Sequence, residues 1–416
     1  MTWITPFVRD ANCFDRMDVM ANVLLAWELG GNSGHAVRLA RVAEALAANG
    51  HTTSFAVQRP DAFRPWRQAT SNVAIRQAPI WPGLLRHSDI AMLRGEAAWG
   101  DLVAGVGMTD SGVLEYLLRC WEQLLVDAQA DIVVADFAPS VMLAARGRIP
   151  VIAVGTGFTV PPHRPDRFPL LRPGATRPLI AEDQLLQVVN RALWRLGREP
   201  LQRLTEIARA DVCCPATFSE LDPYRQERST PSLPPFLSGD PGEAGAGLEL
   251  FAYVAVTDGR TRALSEALGL VATRGLNVSA WLPGLLAPEA EALMQTGVHL
   301  HRGPVPPAHI AARARLLVCS GGMGTSSAAL AAGLPLAIMP LDLEKQLTAD
   351  AVAALGVGSL LRVAPEGVGA AASLAGQLLE AVSDQQILVR TQELAPGFRS
   401  RLGDPAMLVA EKVELM

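Results

Sequence analysis

The sequence predicts an α/β protein of two domains, each with a parallel β-sheet covered by helices. The chain has 416 residues and 50% of them are hydrophobic, which is enough for two cores rather than one. In both halves short apolar runs alternate with longer amphipathic segments, a pattern typical of parallel strands joined by crossover helices. Between the halves, a stretch rich in Pro, Gly and Ser lacks apolar periodicity and indicates a linker.

The first half is predicted to open with a strand and an amphipathic helix. The helix covers residues 35–48 and Gly50 ends it. Arg38 and Arg41 recur at the spacing of a solvent-facing stripe, whereas Val37 is expected to face the sheet. Strands are predicted at residues 23–27, 53–57, 131–135 and 151–154.

The second half is predicted to repeat this organisation. A helix is expected over residues 260–273, in the middle of a series of short apolar runs. The corresponding strands are predicted at residues 250–256, 278–281, 298–301 and 316–319. The second domain is therefore also α/β.

Charge and composition exclude several classes of function. The 36 Lys and Arg against 41 Asp and Glu give a net charge of -5, so general electrostatic binding of nucleic acid is not expected. The five cysteines are scattered and lack the spacing of a zinc site, which suits free thiols in a reducing compartment. No apolar run has the length of a signal peptide core or a membrane span. We expect a soluble, cytoplasmic protein without an integral membrane segment.

The stretch "WELGGNSGHAVRLARVAEALAANGH" (27–51) is the first candidate for a functional loop. Three glycines and a histidine lie between the first apolar run and the helix that follows. Residues Gly31, Asn32, Ser33 and Gly34 form the loop. His35 then opens the helix, where the positive end of the helix dipole favours a neutral ring.

The stretch "LLVCSGGMGTSSAALAAGLPLAIMP" (316–340) is the second candidate. Its glycines, Gly321, Gly322 and Gly324, allow tight turns after a strand, and Thr325 and Ser326 are predicted to cap the next helix. Exposed amides at a helix N-terminus suit a diphosphate. Taken alone, the pattern also fits a turn without a ligand, and it matches neither the dinucleotide-binding nor the Walker fingerprint.

A longer stretch carries a specific resemblance. The run "CSGGMGTSSAALAAGLPLAIMPLDLEKQLTADAVAALGVG" resembles the donor-binding signature of nucleotide-sugar glycosyltransferases of the GT-B fold, family 1-like and bacterial. The first loop, together with "ADFAPS", "GTGFTVPP" and "FSELDPY", resembles the same proteins, so the likeness covers most of residues 20–360. It implies two Rossmann-like domains facing across a cleft, the first for an acceptor and the second for a UDP- or dTDP-sugar.

The resemblance also implies a division of the chain. Residues 1–222 correspond to the acceptor domain and residues 223–247 to the linker. Residues 248–395 correspond to the nucleotide-sugar domain. The last segment, residues 396–416, is expected to cross back to the first domain.

In the resembling proteins the histidine of the first loop is the general base and an aspartate at a strand end orients it. His35 and Asp136 take these positions; the alternative is a helix-start hydrogen bonder and a strand-end cap. The implied reaction is an inverting sugar transfer from a nucleoside diphosphate sugar to a small-molecule, lipid or peptide acceptor, without metal or other cofactor. The implied donor-binding residues are Ser320, Gly321, Gly322, Gly324, Thr325, Glu344, Lys345 and Gln346.

Three departures from the signature are expected to weaken binding of the nucleotide sugar. Ser320 stands where a phosphate-contacting histidine is usual, and Ala328 stands where a glutamate usually holds the ribose. Glu344 and Lys345 replace an Asp-Gln pair that reads the sugar, and a solvated helix start is the alternative role for them. These changes leave open a catalytically impaired GT-B-like binding or partner protein. A sugar epimerase of the same fold is a third candidate, without further acidic residues to support it.

A few other residues carry simpler expectations. Trp66, Trp81 and Trp99 fall in the irregular segment 59–100 and either line an acceptor cleft or pack locally. His51 is expected to bond a loop carbonyl. His299 and His301 alternate on a strand without neighbouring carboxylates, so no metal site is expected there.

Overall fold

The structure is a computed structural model of the chain. It describes residues 20–31, 33–64, 66, 73–85, 96–363 and 369–416. The predicted loop residue Asn32 lies outside these described residues.

The first domain is built on six parallel strands. They are β1 (Asn22–Trp27), β2 (Thr52–Val57), β3 (Ile75–Gln77), β4 (Ile132–Asp136), β5 (Val151–Gly155) and β6 (Val212–Pro215). Their order across the sheet is β3-β2-β1-β4-β5-β6. Because β1 and β4 are neighbours and the chain turns to opposite sides after them, a crevice opens at their carboxyl ends.

The second domain has the same arrangement. Its strands are β7 (Glu249–Tyr253), β8 (Val278–Trp281), β9 (His299–Leu300), β10 (Ala314–Cys319), β11 (Leu336–Ile338) and β12 (Gly358–Leu360). They run in the order β12-β11-β10-β7-β8-β9, so the corresponding crevice lies at the ends of β7 and β10.

Helices cover both sheets. In the first domain they are α1 (Ser33–Ala48), α2 (Trp99–Val103), α3 (Ser111–Asp127), α4 (Pro139–Ala145) and α5 (Glu182–Arg195). In the second they are α6 (Gly259–Ala272), α7 (Ala287–Gln295), α8 (Pro307–Arg313), α9 (Met323–Ala332), α10 (Leu343–Ala354), α11 (Ala370–Ser383) and α12 (Gln385–Arg399). The predicted fold class, a two-domain α/β protein with parallel sheets, is confirmed, and most predicted strands differ from the observed ones by one or two residues.

Helix α1 begins two residues before its predicted start, and two of its positions, Arg38 and Val37, face opposite to the prediction. Arg38 is only 7% exposed, and Val37, expected to face the sheet, is 42% exposed. The apolar side is formed by Leu39, Val42 and Leu46, which are fully buried. Arg38 turns inward because a buried carboxylate at the end of β4 gives it an ionic partner.

The last helix, α13 (Pro405–Val413), packs against α1 of the first domain. Val409 and Val413 lie in the same buried cluster as Leu39 and Leu46 of α1. Because α12 continues to Arg399, the chain crosses back only after that helix ends.

His51 does not bond a loop carbonyl, and that expectation was wrong. Its Nδ1 accepts a hydrogen bond from the backbone N–H of Ala21, at 3.2 Å. Its Nε2 lies 2.8 Å from Oε1 of Glu414, just beyond α13. The histidine therefore links the start of the first sheet to the end of the chain, a pairing that only the folded topology creates.

Within the described part of the chain, no helix combines the length and the apolar character needed to cross a membrane.

Candidate active site at the domain cleft

The two glycine-rich loops occupy equivalent places in the two domains. The first connects β1 to α1, and the second connects β10 to α9. In open parallel sheets, ligands bind at these carboxyl ends, where the strand order reverses. Both loops are therefore in position to contribute to one cleft.

His35 lies in the first turn of α1 and meets the end of β4. Its Nδ1 is 3.0 Å from Oδ1 of Asp136, and the two side chains are 10% and 0% exposed. Trp27, the last residue of β1, stacks on the imidazole with ring centroids 5.0 Å apart and planes inclined by 16°. Because β1 and β4 pair in register at Trp27 and Asp136, the sheet itself fixes this arrangement.

Gly30 sets the space around the other ring nitrogen, a role that the sequence reasoning missed. Its φ is +84°, and a Cβ built on it lies 2.5 Å from Nε2 of His35. The neighbouring Gly31 and Gly34 face no heavy atom within 4 Å of an added Cβ. Only glycine at position 30 leaves Nε2 uncovered on that side, and no described residue hydrogen-bonds this atom.

Arg38 is a second residue that the sequence reasoning missed. Its Nη1 donates a hydrogen bond of 2.6 Å to Oδ2 of Asp136, so the carboxylate lies between a guanidinium and an imidazole. Burial raises the pKa of Asp136, but the charges of Arg38 and His35 outweigh it and the pKa is lowered. The i, i+3 spacing of His35 and Arg38 places both on one helix face and is the signal that was available in the sequence.

The second loop is a tight turn that leads into α9. Gly321 has φ +87°, and a Cβ there lies 2.8 Å from the side chain of Ile338, so glycine is required. A Cβ on Gly322 meets nothing within 4 Å, whereas one on Gly324 lies 3.0 Å from the carbonyl oxygen of Phe236. The space above Gly322 is therefore open.

Gly322 is the residue before α9, which begins at Met323. Thr325 and Ser326 thus lie inside the first turn and do not cap the helix as predicted. The first backbone N–H groups of a helix have no partner within it, and Ser320 and Gly322 beside them are half-buried. Such a helix start can accept an anion.

The three predicted sugar-reading residues at the start of α10 are all engaged within the protein. Glu344 Oε1 accepts a hydrogen bond of 2.6 Å from the hydroxyl of Thr156. Nζ of Lys345 pairs with Asp342, and Nε2 of Gln346 donates to Asp350 at 2.9 Å. Lys345 is buried, so this helix start is not simply solvated.

The bond between Thr156 and Glu344 joins the two domains. Burial raises the pKa of Glu344, and the carboxylate of Asp342 raises it further, while Thr156, Lys345 and His35 oppose the shift. Leu343 of α10 packs in the core of the first domain. The carboxyl group of Glu344 therefore lies within electrostatic range of His35, and the start of α10 in the second domain faces the His35 side of the first.

An aromatic wall borders His35 on the side of the first domain. Phe137 directly follows Asp136 with φ +47°, and its ring centroid is 6.4 Å from that of His35. Trp99 lies 6.2 Å from Phe137, and Phe158 lies 6.5 Å from it. Trp99 and Phe158 are only 2% and 4% exposed and pack in the core of the first domain, so Phe137 is the one ring of the three that is partly exposed beside His35.

Of the three tryptophans considered from the sequence, Trp99 alone belongs to that wall. Trp81 is fully buried and its Nε1 donates to Glu28 at 2.8 Å. Trp66 packs edge-on against Phe55, with ring centroids 5.0 Å apart. Trp99 is itself only 2% exposed, so all three side chains pack locally, the alternative expected from the sequence.

A small pocket of about 40 Å³ lies beside α9. Thr325 and Ala328 line it from the helix, and Tyr253 and Val305 line it from the neighbouring strand and loop. Position 328 therefore contributes a methyl group rather than a carboxylate. No cluster of three or more His, Cys, Asp or Glu suited to a metal is found among the described residues.

Comparison with known proteins gives one short sequence match. No protein-family model matches the chain. The chain is 33% identical over 93 residues to the NDP-glycosyltransferase YjiC of Bacillus subtilis (strain 168), which is 22% of this chain and 23% of that protein. The match thus spans only about a quarter of the relative.

Solved structures resemble nearly the whole chain. The spinosyn rhamnosyltransferase SpnG is 13% identical with a TM-score of 0.65, covering 95% of this chain and 100% of that one. The calicheamicin glycosyltransferase CalG4 is 22% identical with a TM-score of 0.65, covering 95% and 98%. The glycosyltransferase VinC in complex with DTDP is 16% identical with a TM-score of 0.60, covering 94% and 99%. The chain has the GT-B fold that its sequence resemblance implied.

Proposed function

We propose that this protein transfers a sugar from a nucleoside diphosphate sugar to a hydroxyl group of a small-molecule acceptor, with inversion and without a metal ion. The observation that carries the proposal is the buried His35–Asp136 pair, 3.0 Å apart, at the carboxyl ends of β1 and β4. We assign the diphosphate of the donor to the start of α9 in the second domain, where backbone N–H groups suit an anion. Base and leaving-group site are thus on opposite domains.

In the proposed step His35 is the general base. Its Nδ1–H donates to Asp136, so Nε2 carries the free lone pair and takes the proton of the acceptor hydroxyl. The hydroxyl oxygen forms a bond to the anomeric carbon while the bond from that carbon to the diphosphate oxygen breaks. The nucleoside diphosphate leaves, and the proton stays on His35, where Asp136 stabilises the charge.

The leaving diphosphate needs stabilisation of its developing charge. Backbone N–H groups at the start of α9, the hydroxyl of Ser320 and that of Thr325 are the donors available in the second loop. Open space above Gly322 supports this use, because a phosphate must approach the backbone closely. No step requires a metal or another cofactor.

The resembling structures support the substrate classes. One solved structure is of SpnG complexed with spinosyn aglycone, and another is of SpnG complexed with thymidine diphosphate. In this chain the partly exposed ring of Phe137 lies beside His35, with the buried rings of Trp99 and Phe158 packed behind it, and we assign the apolar part of the acceptor to this side of the base. A natural-product aglycone is therefore the acceptor class we propose.

The pocket beside α9 favours a deoxyribose in the donor. Ala328 lines it where the resembling glycosyltransferases usually place a glutamate on the ribose. A ribose 2′-hydroxyl buried without a partner costs about 1–3 kcal/mol, whereas a 2′-deoxyribose presents only a CH₂ group. We therefore propose a thymidine diphosphate sugar rather than a uridine diphosphate sugar.

A calorimetric comparison of nucleotides tests the donor. We expect dTDP and dUDP to bind more tightly than UDP. In Ala328→Glu we expect a smaller difference in affinity between dUDP and UDP. Because dUDP and UDP differ only at the 2′ position, this pair isolates the ribose contact. Equal affinity for both would reject the deoxyribose assignment while leaving sugar transfer intact.

Sugar transfer is tested by substituting two buried histidines, His35 and His51. His35→Gln is expected to abolish most turnover. His51→Gln serves as the matched control, since His51 also bonds a carboxylate but precedes β2, at the opposite end of the strands from His35. Turnover is measured with dTDP-sugars and a panel of aglycones. Full activity of His35→Gln would contradict the base assignment.

A second candidate is a binding or partner protein that has the GT-B fold but does not bind a nucleotide sugar. The observation in its favour is that Glu344, Lys345 and Gln346 all bond to other residues of the chain. If the wild type binds no nucleotide at millimolar concentration, and Ser320→His with Ala328→Glu creates binding, this candidate replaces the transferase.

A further inference from the structure

We infer that Arg38 is a positioning residue for the base: it holds the carboxylate of Asp136 oriented toward Nδ1 of His35. The inference deepens the proposed function, because it assigns a residue to the same site. Arg38 does not reach the position of a substrate on the Nε2 side of His35, and it acts only through Asp136.

The geometry of the carboxylate carries this assignment. Oδ1 of Asp136 lies 3.0 Å from His35, and Oδ2 accepts a hydrogen bond of 2.6 Å from Arg38. A carboxylate held at both oxygens cannot rotate about its Cβ–Cγ bond without losing one partner. Since both partners come from one turn of α1, the helix fixes the orientation of the carboxyl group and of the imidazole together.

The charge of Arg38 also affects the ionisation of the Asp136 carboxyl group. Asp136 is completely buried, and an isolated buried carboxylate favours its neutral form. The groups that act on its charge are Arg38 and His35 of α1, and Glu344 of α10 acts on His35 from the other domain. Without Arg38, His35 alone remains to oppose the effect of burial.

Phe236 covers the guanidinium on its outer side. The centre of the Arg38 guanidinium lies 5.6 Å from the ring centroid of Phe236, and that of Arg41 lies 5.8 Å from it. Arg38 and Arg41 thus share the same aromatic ring and the same helix, but only Arg38 bonds Asp136. Arg41 instead bonds Asp404, at 3.2 Å, which makes it a matched control.

The first test uses NMR and does not require turnover. In Arg38→Met we expect loss of the downfield ¹H resonance of His35 Nδ1–H and a rise in the pKa of the Asp136 carboxyl, followed by ¹³C titration. Arg38→Lys should retain the resonance, and Arg41→Met should match the wild type. An unchanged resonance and an unchanged Asp136 titration in Arg38→Met overturn the inference, whether or not the protein transfers sugar.

The second test uses kinetics. We expect Arg38→Met to lower kcat by roughly 10- to 100-fold, as is usual when an orienting group is lost, with the donor KM unchanged. The acid limb of its pH profile should move to higher pH, because Asp136 then ionises less readily. Arg38→Lys should recover most of the turnover.

A double variant keeps the test decisive if Arg38→Met folds poorly. Arg38→Met with Asp136→Asn contains no unpaired buried charge. If Arg38 acts only through Asp136, the double variant is no slower than Asp136→Asn alone, which a double-mutant cycle measures. Additive losses would show that Arg38 has a separate role and would overturn the inference.

Discussion

Thr156 of the first domain donates a hydrogen bond of 2.6 Å to Glu344 of the second, and this bond joins the two domains. The two residues are 188 positions apart. The bond occupies the carboxylate that, by the family resemblance, stands where the donor sugar is read. A bound donor sugar must therefore either replace the Thr156 hydroxyl or use the second oxygen of Glu344.

The raised pKa of Glu344 makes the stability of the folded protein depend on pH. A carboxyl whose pKa is higher in the folded than in the unfolded state contributes stability below its unfolded value of 4.5. That contribution is lost as the pH rises through the folded value. We expect urea unfolding to show the wild type losing stability relative to Glu344→Gln over this interval.

Glu220 provides a control of opposite sign. Burial raises the pKa of its carboxyl, but hydrogen bonds and the charge of Arg401 outweigh that effect and lower it. The wild type should therefore gain stability relative to Glu220→Gln as the pH rises toward the unfolded value. If both variants show the same sign, the shift in Glu344 is not the cause.

Gly30→Ala tests the space around the proposed base. The added methyl group collides with Nε2 of His35, so we expect at least a tenfold loss of turnover. The φ of +84° adds a backbone cost of roughly 1 kcal/mol. Gly50→Ala is the control, since Gly50 has φ +87° but meets no atom within 4 Å. Equal losses in the two variants would point to strain alone.

We expect Gly322→Val to affect nucleotide binding and Gly321→Ala to affect folding stability. Valine at 322 fills open space above the start of α9, so nucleotide binding should disappear while the melting temperature changes little. Alanine at 321 meets Ile338 and is strained at φ +87°, so the protein should be destabilised. Calorimetry with dTDP and thermal unfolding measure the two effects. Retained dTDP affinity in Gly322→Val would exclude the loop as the phosphate site.

Asp136→Asn should slow transfer by at least 100-fold and leave dTDP affinity unchanged, because the amide no longer stabilises a charged imidazole. It also leaves Arg38 without its buried counterion, which costs about 3 kcal/mol of unfolding free energy. Kinetics, calorimetry and denaturant unfolding together check this pattern. A variant with weaker nucleotide binding and normal turnover would move Asp136 to the donor site.

The sequence by itself determined the two-domain α/β fold and the location of both glycine-rich loops. The family resemblance carried by these loops also implied that His35 and Asp136 pair. The fold brings them together because β1 and β4 are parallel neighbours and end at the same edge of the sheet. Alternation of apolar runs and the positions of glycines are local patterns, and they specify strands and turns without reference to distant residues. Their strength explains why the predicted strands differ little from the observed ones.

Tertiary structure decided which polar side chains found partners. The partner of Arg38 is 98 positions away, and the partner of Thr156 is 188 positions away, so no local period reveals them. Arg38 faces inward, against its predicted side, because pairing with a buried carboxylate outweighs the cost of burying the guanidinium. His51 likewise bonds Glu414 near the end of the chain rather than a nearby carbonyl. Periodicity reports which face of a helix is apolar, but the ionic partners of its charged residues are set by elements that only the complete fold brings into contact.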